Sequence, residues 1–242
     1  MSRSLVGFAV ALAVVLALAG PPQKTTPKPG PTPQPGPQAP APDDDAPNPL
    51  DLPVALVDLR GKAPKSYIRR RRSPSDVRAL VLHQTGFTWQ PSNPKWAEVR
   101  AHFVVRRDGS VVMNFDPIQQ MRFGSSLANP FSITIEFEGN YPSADGKWWK
   151  PEAFGANHLQ DAPQQVNAGR RLIAGLRQLY PSITHVYAHR QWEAKKSNCP
   201  GPDLWRSIGE YAINQLGLKD GGADWHYTGG MAIPASWRTA WA

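Results

Sequence analysis

The chain has 242 residues and a formal net charge of +8, and its single cysteine excludes an internal disulfide framework. A sequence pI near 9.8 draws it toward polyanions such as nucleic acid, anionic lipid or bacterial cell wall. No zinc-finger spacing, Gly-rich phosphate loop or other nucleic-acid motif accompanies that charge, so nucleic acid is set aside as a partner, and Arg69-Arg70-Arg71-Arg72 reads as a solvated basic segment.

Met1 to Gly20 has the make-up of an export signal. Arg3 supplies the positive start, Leu5 to Ala19 is apolar apart from Gly7, and Ala17-Leu18-Ala19 fits a cleavage site. The run is short for a bilayer-spanning helix, which needs about 20 residues. Residues 1–20 are therefore expected to be a signal peptide or an uncleaved anchor, the one expected membrane contact, and the rest to be exported to the periplasm, envelope or exterior. Residues 21–49 are dominated by Pro, Gly, Gln and Thr and cannot bury a core, so they predict an extended disordered linker.

A folded domain is expected over residues 50–217. Leu50 to Pro74 is weakly patterned and predicts a wrap around the domain edge. Ala79-Leu80-Val81-Leu82-His83 is a short apolar run, read as a buried strand. His102 to Arg106 and Ser110 to Phe115 flank Arg107-Asp108-Gly109, a hairpin signal. Ser132 to Glu138 alternates, with Ile133, Ile135 and Phe137 on one face and Thr134, Glu136 and Glu138 on the other. Ala162 to Tyr180 predicts a helix stopped by Pro181, with Gly169 on its apolar face, where it would allow close approach to the sheet. His185 to Ala188 predicts a strand, and Asp203 is expected to N-cap a last helix ended by Gly217. Residues 218–242 form a Trp-containing tail that either packs on the domain or binds something. The layout predicts an α/β fold: a mixed central β-sheet flanked by α-helices, in a single monomeric domain.

The lone thiol, Cys199, lies ten positions after His189 and just before Pro200-Gly201-Pro202. A thiolate and a neutral imidazole are good zinc ligands, and a stiff turn can return the chain to the histidine. A buried inert cysteine is the plain alternative. Two ligands do not fix a metal, and the best third is His83. If the strands closed by His83 and His189 are parallel neighbours, the two rings meet at one sheet edge. Such a zinc, with a fourth position open, lowers the pKa of water from about 16 to about 7. Amide hydrolysis also needs a proton carrier, for which Glu136 is the candidate; an exposed glutamate paired with an arginine is the alternative.

Five stretches, in order, resemble the type 2 N-acetylmuramoyl-L-alanine amidases and peptidoglycan recognition proteins. They are Leu80 to Thr85, Ala101 to Gly109, Asn129 with Ser132 to Glu136, Tyr187 to Arg190, and Asn198 to Pro202. The resemblance implies a Zn2+ ion held by His83, His189 and Cys199, Glu136 as general base and acid, and cleavage between N-acetylmuramic acid and L-alanine. It equally covers a non-catalytic module that binds peptidoglycan or muropeptides, although such members typically lose the cysteine kept here. Some members carry a catalytic Tyr where this chain has Ala101, and the branch without it uses the Glu matching Glu136. Many members have a Lys where Ser197 stands, so Lys196, one residue earlier, or Ser197 itself is left to assist the oxyanion. Gln84 and Gln191 also depart from the usual residues. His102 is expected to be a structural or supporting residue and not a ligand.

Overall fold

The structure, a computed structural model, describes residues 48–222, 225 and 229–238. The export segment, nearly all of the Pro-rich linker and Trp241 lie outside the described residues. The strands are β1 (Leu56–Asp58), β2 (Ile68–Arg71), β3 (Ala79–Gln84), β4 (Phe103–Val105), β5 (Val111–Met113), β6 (Gln119–Met121), β7 (Ser132–Phe137) and β8 (His185–Ala188). A six-stranded sheet runs in the order β1-β5-β4-β7-β3-β8, and β2 pairs with β6 apart from it. Strands β4, β7, β3 and β8 are parallel, while β5 turns back on β4 through the Asp-Gly hairpin. Gly109 supplies the positive φ of 85° that this tight turn needs. The sheet is mixed, as the pattern predicts.

After the single turn α1 (Pro151–Phe154), α2 (Pro163–Leu179) lies on one face of the sheet. Its Ala168, Leu172, Ile173 and Leu176 share a core with Leu80, Leu82, Ile133, Ile135 and Phe137. Gly169 allows the close approach: a Cβ there would stand 2.6 Å from Cε1 of Phe137. The last helical run is α3 (Pro202–Leu204), a π turn (Trp205–Gly209) and α4 (Glu210–Leu216), ended by Gly217 at φ 68°. No helix among the described residues is long and apolar enough to cross a membrane.

Three local expectations change. Asp203 does not cap the last helix; Gly201 does, because Pro202 suits the first helical position, and Asp203 instead pairs with Arg206 at 3.3 Å. The segment after Leu50 is not only a wrap, since β1 joins the sheet parallel to β5. The basic run is not uniformly solvated. Arg69, Arg70 and Arg71 are exposed, but Arg72 is buried and donates hydrogen bonds to the carbonyls of Pro117, Asn129 and Ser132. The described part of the tail packs on the domain, with Leu218, Ile233 and Trp237 in the main core.

The period of two places the site. Leu80 and Leu82 of β3, and Ile133, Ile135 and Phe137 of β7, face α2. Ala79, Val81 and Tyr187 belong to a separate cluster. His83, Glu136 and His189 continue that second alternation at the C-terminal ends of β3, β7 and β8. That is the edge where parallel sheets gather ligands.

Candidate metal centre

Strand register brings the residues together. His83 is directly opposite Glu136 in the β3–β7 pair, and Leu82 is opposite Ala188 in the β3–β8 pair. His189 follows Ala188, so its ring comes to 4.2 Å from that of His83, centroid to centroid. The chain then leaves the sheet and returns at Cys199. Arg190 donates its backbone N–H to the Cys199 carbonyl at 3.1 Å, and Cys199 donates to Lys196 at 2.9 Å. Gly201 holds the turn at φ 96°, where a Cβ would press on Gln84 and on the Pro142 carbonyl at 3.3 Å. One ligand atom each from His83, His189 and Cys199 then lies within 4.8 Å of the others.

The electrostatics of this trio suit a bound cation. Burial holds His83 well below the ordinary histidine range, and the neighbouring His189 and Lys196 add to that. Burial pushes His189 down to about 4, against the opposing pull of Glu193. Burial also pushes the Cys199 thiol far up, and the nearby Glu136 adds to it. The pocket therefore offers two neutral imidazoles and a thiol that ionises only beside a strong positive charge. Neutral imidazole and metal-neutralised thiolate are the forms a divalent ion binds. Residue types and convergence both fit zinc.

Glu136 and Glu138 share a face of the sequence pattern, but the structure separates them. Glu138 accepts from the backbone N–H of Trp89 at 3.0 Å and of Arg107 at 2.9 Å, so both its oxygens serve the fold. Glu136 has no arginine partner: Oε2 is buried without a hydrogen-bond partner, and Oε1 stands 3.9 Å from Nδ1 of His83. Its side chain is 18% exposed, enough to meet a small molecule in the cleft. Burial pushes its carboxyl up to about 8, against the pull of Lys196. A raised pKa makes a carboxylate a stronger base. Lys196 is exposed, yet its charge bears on His83, His189, Glu136 and Cys199 alike. Ser197 is exposed, and its carbonyl accepts from Arg190 at 2.5 Å. A cleft of about 300 Å³ runs from Glu136 past Thr85, Phe87, Trp89 and Arg100. Phe87 and Trp89, stacked 4.2 Å apart, line it. Trp148 lines a different cavity, and Trp192 packs in the cluster around Tyr187.

Three supporting residues escape a reading of the sequence. Gln84 donates to the Asn198 carbonyl at 3.2 Å and accepts from Tyr141 N at 2.7 Å, tying the end of β3 to the cysteine loop. Ser125 Oγ lies 3.2 Å from Nε2 of His83. Glu193 Oε2 lies 3.4 Å from Nε2 of His189, and its position four residues after that histidine is the one available signal.

His102 is structural. Its Nδ1 accepts from the backbone N–H of Thr134 at 3.0 Å, which leaves Nε2 as donor to the Gln119 carbonyl at 2.8 Å. Burial, helped by Arg72, pushes it down to about 3 from an ordinary 6.5. The unfolded chain thus takes up a proton below 6.5 that the folded chain refuses. Its contribution to stability is complete above that value and is lost as pH falls toward 3, at about 1.4 kcal/mol for each pH step of one crossed in that window. His83, His189 and Glu136 also titrate differently on folding, so the contribution of His102 is read as a difference: urea unfolding from pH 7 to pH 4 should give a pH slope that is smaller in His102→Gln than in the parent by about this amount.

The sequence pattern of the family described as N-acetylmuramoyl-L-alanine amidase matches residues 73–202, more than half of the chain. Solved structures to which the chain is similar include the endolysin N-acetylmuramoyl-L-alanine amidase LysCS from Clostridium intestinale URNW. It has 17% identity and a TM-score of 0.49, with 68% of this chain and 96% of that one covered. The Ph2119 endolysin from the Thermus scotoductus MAT2119 bacteriophage Ph2119 has 21% identity and a TM-score of 0.43, covering 68% and 99%. The drosophila peptidoglycan recognition protein SD has 17% identity and a TM-score of 0.46, covering 66% and 94%. No curated protein matches the chain.

Proposed function

The chain belongs to the N-acetylmuramoyl-L-alanine amidase family, and from that premise we propose that it is an exported zinc hydrolase of peptidoglycan. It cuts the amide between the lactyl group of N-acetylmuramic acid and the L-alanine of the stem peptide. His83, His189 and Cys199 hold the metal. Zinc in such a site supplies a Lewis acid for the scissile carbonyl and a water acidified to near neutrality.

The remaining work falls to side chains. Glu136 accepts the proton of the attacking water and returns it to the departing alanine nitrogen, one carboxylate acting as base and then acid. Its free Oε2, beside the three-residue cluster, is the observation that carries this assignment. Lys196 supplies positive charge to the developing oxyanion. Phe87 and Trp89 give the cleft an apolar wall against which the substrate lies.

The rival use of the same cleft is binding without cleavage. Digestion of purified peptidoglycan separates the two. Hydrolysis releases stem peptides with new alanine amino termini and stops when a chelator removes the metal. Retention of the protein on the wall with no peptide released, with or without added zinc, would leave only the binding module.

A further inference from the structure

Both histidines of the cluster connect to a single turn between β6 and β7, His83 directly and His189 through Glu193. Ser125 is fully buried, and its Oγ lies 3.2 Å from Nε2 of His83 and 2.7 Å from Oγ1 of Thr134. Its backbone N–H is fixed on Oδ1 of Asn129 at 2.9 Å. The next residue, Ser126, donates its hydroxyl to Oε2 of Glu193 at 2.7 Å. That same oxygen stands 3.4 Å from Nε2 of His189. Ser126 takes φ 51°, a left-handed conformation that a serine adopts only where its surroundings impose it. Of two adjacent serines, one in a strained conformation, Ser125 thus reaches Nε2 of His83 directly and Ser126 reaches toward Nε2 of His189 through Glu193.

We propose that the Ser125–Ser126 turn and Glu193 are positioning residues for the metal centre, holding Nε2 of His83 and His189 so that both rings present Nδ1 to the ion. The inference rests on the zinc reading above. The hydrogen bonding is self-consistent. Ser125 Oγ accepts from the His83 Nε2–H and donates its own hydrogen to Thr134 Oγ1. Glu193 Oε2 accepts from Ser126 Oγ and stands 3.4 Å from Nε2 of His189, a buried nitrogen with no other partner, so a small closing movement on metal binding would let that Nε2–H donate to it. Nδ1 of His83 already faces the cleft, 3.9 Å from Glu136. A ligating imidazole that donates its second N–H to an oxygen is fixed in tautomer and orientation and is a more basic ligand, and a carboxylate is the strongest such partner. Neither serine nor Glu193 needs to touch substrate for this role.

The test is zinc affinity of the purified chain, measured by competition with a chromogenic chelator. Glu193→Ala and Ser125→Ala should each weaken binding by about 10–100-fold. Glu193→Gln, which keeps an acceptor oxygen, should recover part of the loss. The Glu193 side chain is 37% exposed, so the metal-free Glu193→Ala chain should unfold at the parent's temperature, which separates ligand positioning from a general role in stability. Long-range proton–nitrogen correlation of the histidine rings in the zinc-loaded parent should show both protonated at Nε2. Undiminished zinc affinity in both alanine variants, or metal on Nε2 of either ring, would overturn the proposal. A parent chain that takes up no zinc would overturn the zinc reading itself, and this inference with it.

Discussion

Glu136→Gln is expected to slow amide cleavage by about 10²–10⁴-fold, the usual contribution of a positioned proton carrier, while the chain keeps its full complement of zinc. The substitution is nearly isosteric and removes a carboxyl group whose Oε2 makes no hydrogen bond in the fold. Glu136 is also outside the cluster of His83, His189 and Cys199, so metal content should not change. Glu138→Gln is the matching control. There the lost charge accepted two backbone N–H groups, so stability should fall by about 1–3 kcal/mol while the chemistry of the folded fraction persists. The readouts are new alanine amino termini released from purified peptidoglycan, zinc per chain, and urea unfolding. An undiminished cleavage rate in Glu136→Gln would remove this carboxylate from the mechanism.

The same two glutamates mark the limit of what the sequence reveals. The alternation in Ser132 to Glu138 puts both on the polar side of one strand, and nothing local distinguishes them. The distinction comes from Trp89 and Arg107, whose backbone N–H groups reach Glu138 from distant loops. His83 and His189 are legible because each closes an apolar run, and parallel pairing of those runs leaves one outcome for the rings. Cys199 is legible through the Pro-Gly-Pro turn beside it. Ser125 is not, because a serine in a loop carries no period. Its value arises only once β7 brings Thr134 beneath it and Arg72 ties down the following carbonyls of Asn129 and Ser132. The short strand β1 is hidden for a related reason. Three residues are too few to show alternation, and they are held by pairing with β5.

Cys199→Ala is expected to have the largest effect: loss of tightly held zinc and, with it, cleavage at the level of the chelated parent. Without the thiolate the site keeps two neutral imidazoles, which contribute no charge to offset the dication, and burial discourages any replacement charge from forming there. The fold should survive, because the loop is held by its backbone. Arg190 N–H binds the carbonyl of residue 199, the N–H of 199 binds Lys196, and Gln84 holds the Asn198 carbonyl. Added zinc at about 100 times its dissociation constant should therefore stabilise the parent by about 2.7 kcal/mol and leave Cys199→Ala where it was. Cys199→Asp sharpens the test, since a carboxylate oxygen is an acceptable zinc ligand that carries the same charge as a thiolate. Partial return of both zinc and cleavage in Cys199→Asp, with neither in Cys199→Ala, would tie the activity to a charged third ligand at this position. One zinc per chain and full cleavage in Cys199→Ala would show that the metal, if it acts at all, is held elsewhere, and that the convergence of these three side chains serves only the packing of the sheet edge.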